Sequence, residues 1–413
     1  MGPEHRDNLM TTMSDPQRGS FRLSMLLNDT RYRSYTFQFI ALLLLIALMA
    51  FLGINLVRNL AEAGLNISYD FLGVPAGYDI NQTLIDYNSQ SSNLRAAVVG
   101  IINTLLVAFL ACLTATVIGV IAGVARLSKN WLVSKLMSVY VEIFRNIPVL
   151  IWILMIYTLM TAVLPAPNAF RGDNATSSMV FDAFAFTNRG VYIPAPVWGP
   201  GSMLVVATFI LSIAAIFFYR RYAVKLLFET GRLLPTGWPT LAILIVPTLL
   251  MFFIMGSPIG LEMPELKGFN FKGGIQIGAP LIALWLALSV YTGAFIAENV
   301  RAGIQAISKG QTEAASSLGL RPKRVMNLVV LPQALRVIIP PLISQYLNIT
   351  KNSSLAIAVG YADITATLGG ITLNQTGRAI ECVLLLMLFY LTISLSISAI
   401  MNVYNNNVSL KER

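Results

Sequence analysis

The sequence is poor in charge. Only 12% of its 413 residues are Asp, Glu, Lys or Arg, whereas 56% are hydrophobic. Soluble domains carry roughly 25% charged residues, so an ordinary soluble enzyme is excluded. Histidine occurs once, as His5, and cysteine twice, as Cys112 and Cys382. This scarcity excludes a disulfide framework, a zinc pattern and most histidine-based acid–base catalysis. The sequence therefore predicts neither catalytic nor metal-binding residues in this chain.

Long continuous apolar runs make up much of the sequence. A membrane helix needs about 20 mostly apolar residues, because its backbone must form all its hydrogen bonds internally. Such runs lie near residues 37–57, 97–125, 136–161, 203–219, 240–256, 279–297, 337–358 and 380–403. They do not alternate as barrel strands do. An all-α polytopic membrane protein with about eight transmembrane helices is therefore predicted, and the first run is interpreted as a helix rather than a cleaved signal peptide.

The distribution of basic residues predicts the orientation of the chain. If the N-terminus is cytoplasmic, 20 of the 29 Lys and Arg residues fall in inner segments and 7 in outer loops. Such a bias marks the cytoplasmic side of membrane proteins, where basic residues meet anionic lipid. Both termini are therefore predicted to be cytoplasmic. The formal net charge of +10 is explained by lipid, without a nucleic-acid partner.

The most informative stretch is the inner loop before the seventh run. Residues 312–318 predict a short helix with Ala314, Ala315 and Leu318 on one side. Because alanine side chains are small, the backbone of another protein can approach this side of the helix closely. From the residues alone, this helix is equally well interpreted as a segment that merely covers the core.

The ends of this short helix are also predicted. Glu313 is placed in its first turn, where an acidic side chain suits the helix dipole. Gly319 is suited to the C-terminal cap, and Pro322 is expected to prevent further helix.

The same stretch resembles the EAA loop in permease subunits of ATP-binding-cassette importers. That pattern is Glu-Ala-Ala, three residues, Gly, nine residues, an aliphatic residue, one residue and Leu-Pro. The positions that meet it are Glu313, Ala314, Ala315, Gly319, Val329, Leu331 and Pro332, with Val329 in place of the commoner isoleucine. In the family, this loop forms the coupling helix that sits in a groove of the ATPase subunit. The resemblance implies the same ATPase-coupling role for the loop here.

Two further stretches, 140–151 and 348–356, are similar to the permeases for polar amino acids, histidine, glutamate, glutamine, arginine and opines. The resemblance implies a type I importer core formed by 97–161 and 279–404. An enlarged chain of this kind resembles the permeases of general L-amino acid importers. The predicted divisions outside the core are a cytoplasmic tail (1–36), the first helix with a periplasmic loop (37–96), an insertion with two extra helices (162–278) and a cytoplasmic C-terminus (405–413).

The resemblance also implies the partners. The chain has no Gly-Lys dipeptide and hence no Walker A phosphate loop, so no cofactor is expected on it, and ATP and Mg would be used by partner ATPase subunits. A second permease subunit is implied, either a copy or, as we favour, a related chain. A periplasmic amino-acid-binding protein would deliver substrate to this pair in the bacterial inner membrane.

Ionizable side chains within the apolar runs are candidates for substrate binding, because charge is costly in the bilayer. Lys351 is followed by Asn352 and Ser353, which together could receive a carboxylate; alternatively, Lys351 reaches a backbone carbonyl or the membrane surface. Glu142 and Arg145 lie three residues apart and could pair on one helix face. They are interpreted either as part of the pathway or as an interfacial ion pair.

Two other functions are weighed against an importer permease. An ion-coupled secondary transporter would need intramembrane acidic or histidine relays and often repeated halves, of which only Glu142 is available. A membrane scaffold without transport activity would have no need for the coupling loop.

Overall fold

The structure, a computed structural model, describes residues 30–64, 66–172, 175–232 and 234–408. His5, most of the predicted tail and the last five residues lie outside the described residues. The chain divides into two units, Met1–Ser68 and Tyr69–Arg413. In the first unit, one apolar helix, α1 (Thr30–Glu62), is long enough to cross a membrane.

The second unit is predominantly helical. Its longer helices are α2 (Asn93–Arg126), α3 (Trp131–Asn146), α4 (Val149–Val163), α5 (Ser202–Thr230), α6 (Gly237–Ile254), α7 (Ala279–Gln305), α8 (Lys309–Ser317), α10 (Leu331–Asn352) and α12 (Ala379–Val408). Two short helices, α9 (Pro322–Val325) and α11 (Leu373–Thr376), join them. Within the described residues, seven helices of the chain are long and apolar enough to span a membrane, or up to eight if a bent pair counts as one span. This agrees with the predicted polytopic helical class.

The predicted span 136–161 is sharply bent at Pro148, a proline that the sequence indicated as a helix kink. It forms two helices, α3 and α4, whose axes differ by 104°. Ile147 adopts an extended backbone, with φ −105° and ψ 132°, and Pro148 caps α4. A proline disfavours helical geometry in the residue before it and has no N–H to donate, so the apolar run cannot continue as one straight helix.

Helices α2 and α7 form the centre of the second unit. Their backbones approach closely at Gly119 and Gly123. A Cβ atom on Gly119 would lie 2.5 Å from the Ile296 side chain, and one on Gly123 would lie 2.6 Å from the Ala297 carbonyl oxygen. Small residues permit such close helix contact inside a membrane, where dispersion contacts replace the hydrophobic effect.

Seven short strands lie in the insertion. They are β1 (Ala185–Thr187), β2 (Gly190–Ile193), β3 (Ala195–Trp198), β4 (Ile259–Glu262), β5 (Glu265–Lys267), β6 (Asn270–Lys272) and β7 (Ile275–Gly278). All pairs are antiparallel, in the orders β1-β2-β7, β3-β4 and β5-β6. The sequence did not predict these strands, because three or four residues are too few for a period-two pattern to be recognised.

The strand β7 continues directly into α7, which fixes the sheet at the start of that helix. The Ala279 N–H donates to the Arg189 carbonyl at 3.2 Å, and the Gly278 N–H donates to Gln82 Oε1 at 3.3 Å. The insertion is thereby attached to α7 and to the loop that precedes α2.

Candidate ATPase-docking site and transport core

The predicted coupling helix is present as α8, but it begins earlier than expected. It starts at Lys309, so Glu313 lies beyond the first turn, and the predicted dipole role of Glu313 is wrong. The helix starts earlier because Ser308 adopts the extended backbone of an N-cap residue.

The face of α8 that contacts the rest of this chain contains Ala315. This alanine is buried, with Val325 and Val330, in a small apolar cluster. Ala314 is exposed, and the Leu318 side chain is 82% exposed. Of these three residues, only Ala315 is therefore buried against this chain, at the edge of the side that the spacing predicted. The helix is held by one small side chain and presents an exposed edge that includes Glu313.

Gly319 ends α8, as predicted. Its φ is +76°, and its N–H donates to the Ser316 carbonyl at 2.9 Å. Pro322 does not prevent further helix. It lies in the first turn of α9, a position where a proline without an N–H is tolerated, and that prediction is wrong. Leu331 and Pro332 begin α10 after a π-helical turn (326–330) and are exposed.

Three charged residues near the base of the coupling loop form an ion-pair cluster that the sequence did not predict. Glu298 on α7 accepts from Arg301 on the same helix and from Arg126 at the end of α2. The i, i+3 spacing of Glu298 and Arg301 was visible in the sequence, but the approach of Arg126, 172 residues earlier, required the tertiary structure. The cluster joins the two central helices close to α8.

Replacing Glu298 with glutamine is expected to destabilise this junction by about 1–3 kcal/mol, because two largely buried guanidinium groups lose their carboxylate. The Arg126 side chain is only 12% exposed. The test is thermal unfolding of the purified complex in detergent. The matched control is Glu229→Gln, which breaks the exposed Lys225–Glu229 pair and should leave the melting temperature unchanged. Equal melting temperatures for both variants would contradict the expected role.

The predicted pair between Glu142 and Arg145 does not form. Both side chains are exposed on α3. Glu142 accepts a hydrogen bond from the Asn146 amide at 3.4 Å, and the Arg145 guanidinium lies 5.3 Å from the centre of the Phe295 ring. No ion pair joins the two within the described residues, so the interpretation as an ion pair is wrong for this chain.

Lys351 lies in the last turn of α10 and is exposed, rather than buried in mid-helix as the sequence suggested. Helix geometry changes directly after it, since residues 353–359 form a 3-10 helix. Ser353 is fully buried and donates to the Thr350 carbonyl at 2.7 Å, which turns its hydroxyl toward the backbone. Asn352 is half-buried. Within the described residues, no hydrogen bond or ion pair joins this group to Glu142 or Arg145.

Known proteins are similar to this chain in sequence. Residues 207–410 match the family of binding-protein-dependent transport system inner membrane components. The chain is 50% identical to the glutamate/glutamine/aspartate/asparagine transport system permease protein BztB of Rhodobacter capsulatus, over 98% of this chain and 100% of that protein.

Two further relatives are similar over almost their whole length. The general L-amino acid transport system permease protein AapQ of Rhizobium johnstonii is 43% identical, over 95% of this chain and 96% of that protein. The putative amino-acid ABC transporter permease protein YhdX of Escherichia coli K12 is 44% identical, over 96% and 99%.

These findings define a transport-system membrane subunit. The chain belongs to the family of amino-acid ABC transporter permeases, as its coupling-loop motif predicted. It is a multi-span subunit of the inner membrane and a transport component rather than an enzyme. The family implies association with an ATPase and with a second permease subunit.

Proposed function

We propose that this chain forms half of the path by which a bacterial importer moves L-amino acids inward, with ATP hydrolysed by separate subunits. The relatives support this substrate class, because BztB is named for glutamate, glutamine, aspartate and asparagine and AapQ for general L-amino acids. A related second permease would complete the path, and a periplasmic binding protein would deliver the substrate.

The observation that carries the proposal is the position of α8. It follows α7 after three residues, is anchored by Ala315, and presents Glu313, Ala314 and Leu318 to the outside. A helix so placed can be moved by an ATPase that contacts its exposed edge, and the central helix α7 would move with it. We assign ATPase coupling to Glu313, Ala314, Ala315 and Gly319, with Leu331 and Pro332 at the start of α10.

The orientation follows from the two ends of α7. The inserted strands lead into its first residue, and α8 follows its last. At 1.5 Å per residue its 27 residues extend about 40 Å, enough to cross a bilayer. If α8 meets a cytoplasmic ATPase, the strands lie outside. The bias of Lys and Arg toward the inner segments supports cytoplasmic chain termini and contact of the inner loops with anionic lipid.

Lys351 is the proposed substrate residue with the clearest geometry. Its ammonium group is exposed on this chain at the point where α10 gives way to a 3-10 helix. A second permease that covers this surface would enclose the ammonium group in a shared pathway, where it could bind a carboxylate. Asn352 and Ser353 would shape the backbone there, and Glu142 and Arg145 are proposed as polar groups elsewhere along the path.

In the proposed cycle, ATP binding draws the two ATPase subunits together. They push on the exposed edge of α8, and α7 transmits the displacement to α2 through the Gly119 and Gly123 contacts and the Glu298 ion pairs. The pathway then opens outward to accept substrate, and hydrolysis resets it.

The proposal is tested by reconstituting the two permeases, the ATPase and the binding protein in liposomes. ATP hydrolysis and uptake are measured across a panel of L-amino acids. We expect ATP hydrolysis to rise when the substrate-loaded binding protein is added. Uptake should require ATP on the side of the membrane where the ATPase lies. Uptake driven by a proton or sodium gradient without the ATPase would establish a secondary transporter instead.

A further inference from the structure

A polar cavity lies between the inserted strands and the helical core. Its volume is 380 Å³. Its lining includes five side chains with amide or guanidinium donors, namely Asn81, Gln82, Arg189, Asn270 and Gln276, and the turn 360–362 forms another wall. The chain segments that meet here are the loop before α2, the strands next to α7 and the turn before the π-helical segment 365–372.

Buried hydrogen bonds hold the walls of the cavity together. Asn103 of α2 is fully buried, and its amide donates to the Gln82 carbonyl at 3.0 Å and to the Ala362 carbonyl at 2.9 Å. The Tyr361 hydroxyl donates back to the Asn103 carbonyl at 3.0 Å. Two of the walls are thereby fixed to the central helix, so the cavity is a built feature of the fold.

The cavity is electropositive. Arg189 is its one charged lining residue within the described part of the chain, and neither Asp nor Glu lines it there. The Arg189 guanidinium donates to the Phe269 carbonyl at 3.4 Å, which uses one of its five N–H groups. The others are available to a ligand. Arg189 is exposed at the cavity, and its guanidinium favours a carboxylate because the two planar groups can form paired hydrogen bonds.

The amides around Arg189 are oriented by neighbouring groups. Tyr192 donates its hydroxyl to Asn270 Oδ1 at 2.7 Å, which leaves the Asn270 N–H₂ group free to donate. Burial raises the pKa of the Tyr192 hydroxyl, so it stays protonated and keeps this role at neutral pH. Gln82 Oε1 is occupied by the Gly278 N–H, so the Gln82 N–H₂ group is likewise a donor.

We infer that this cavity is an entry site that binds the carboxylate of an amino acid before it reaches the membrane path. The inference rests on the proposed function and on the orientation that places the strands outside. The volume of the cavity lies in the usual range for ligand-binding sites. An amino acid such as glutamate, with about ten non-hydrogen atoms, is small enough to fit in it. Arg189 binds the carboxylate, while the amide oxygens of Asn81 and Gln276 are available to the ammonium group.

This assignment gives the insertion a function, because the insertion supplies part of the entry site. Arg189, Asn270 and Gln276 all belong to the inserted segment, whereas Gln82 and Ala362 belong to the segments around the core. The cavity therefore exists only where an insertion of this kind covers the entrance. Lys351 is not among its lining residues, so the entry site is separate from the substrate residue proposed within the path.

The test is a local labelling experiment on the complete complex in liposomes, without binding protein. Gln276→Cys is labelled from outside with a membrane-impermeant maleimide while L-glutamate is titrated. We expect L-glutamate to slow the labelling. Adding Arg189→Gln to the Gln276→Cys variant should raise the concentration of L-glutamate that gives half-maximal protection by about tenfold or more. Leu261→Cys, exposed on β4 outside the cavity, should be labelled equally with and without L-glutamate.

The matched control is Arg171→Gln. Arg171 is exposed and donates to the Gly268 carbonyl, next to the carbonyl that Arg189 contacts, but it does not line the cavity. Protection by L-glutamate should survive this change. If Arg189→Gln fails to assemble, Gln82→Glu provides the second test, because it keeps the acceptor for the Gly278 N–H but replaces a donor amide with a carboxylate, which should repel the ligand carboxylate and abolish protection.

Three results would overturn the inference. They are labelling of Gln276→Cys that L-glutamate does not slow, protection that survives both Arg189→Gln and Gln82→Glu, and protection given only by the binding protein, which would make the cavity a protein-docking surface. ATP hydrolysis stimulated by the loaded binding protein is measured on the same complex. If the binding protein stimulates ATP hydrolysis normally but L-glutamate does not protect Gln276→Cys from labelling, only the entry site is refuted. If the binding protein does not stimulate ATP hydrolysis, the proposed function is refuted.

Discussion

Gly319→Asp is expected to abolish ATP-driven uptake while leaving the rest of the fold intact. The φ of Gly319 is +76°, a left-handed conformation that costs a residue with a Cβ roughly 1–2 kcal/mol. The new carboxylate would also lie at the negative end of the α8 dipole, which disfavours it. Apart from the adjoining backbone, no atom of the described residues lies within 4 Å of the position of the added Cβ, so the damage should stay confined to the end of α8.

The measurement is amino-acid uptake by proteoliposomes, with co-purification of the ATPase as a second readout. We expect uptake to fall to the level without ATP, together with loss of the ATPase or of stimulated hydrolysis. Gly231→Asp is the matched control. Gly231 also ends a long helix, α5, with φ +68° and open space around its Cβ position, but it lies outside the coupling loop.

Reversal of charge at Glu313 tests the same surface without backbone strain. The side chain is exposed, so Glu313→Lys should fold normally and still weaken the contact with the ATPase. Wild-type uptake by both Gly319→Asp and Glu313→Lys would refute the assignment of α8 as the coupling helix.

Lys351→Met is expected to abolish uptake while both permeases and the ATPase still assemble. Methionine keeps most of the length of the side chain but removes the ammonium group that would bind the substrate carboxylate. Losing a charged hydrogen bond inside a pathway shielded from water should reduce uptake at least about tenfold. Because Lys351 is exposed on this chain, the substitution creates no cavity in the core.

The control for this variant is Lys225→Met. Lys225 is an exposed lysine on α5 whose ion pair with Glu229 is largely solvated, so its loss should leave uptake unchanged. Uptake by Lys351→Met at the wild-type rate would end the proposed role of Lys351. Failure to assemble would show that Lys351 serves the subunit interface instead.

Local patterns predicted the features that depend on short stretches of chain. The long apolar runs predicted the membrane helices, because their length and hydropathy are properties of a segment by itself. Gly319 was correctly expected to end the coupling helix, since a left-handed residue after a helix is a local requirement. The spacing from Glu313 to Pro332 indicated the family to which the chain belongs.

The errors arose where a distant segment or a single backbone angle decided the outcome. The 104° angle at Pro148 was not visible in the apolar run, and the sequence did not show that Ala315 is buried with Val325 and Val330 while Ala314 is exposed. Arg145 met Phe295 on another helix rather than the nearby Glu142. None of these contacts is visible in hydropathy or in side-chain spacing.

The sequence by itself determined that this protein is a helical membrane permease with a separate source of ATP hydrolysis, because apolar length, basic loops and one motif are local and additive signals. Only the tertiary structure decided which edge of α8 is exposed, how Arg126 meets Glu298, and that the inserted strands build a polar cavity around Arg189. These features depend on residues up to 259 positions apart that close contact of helices and strands brings together, and such proximity has no signature along the chain.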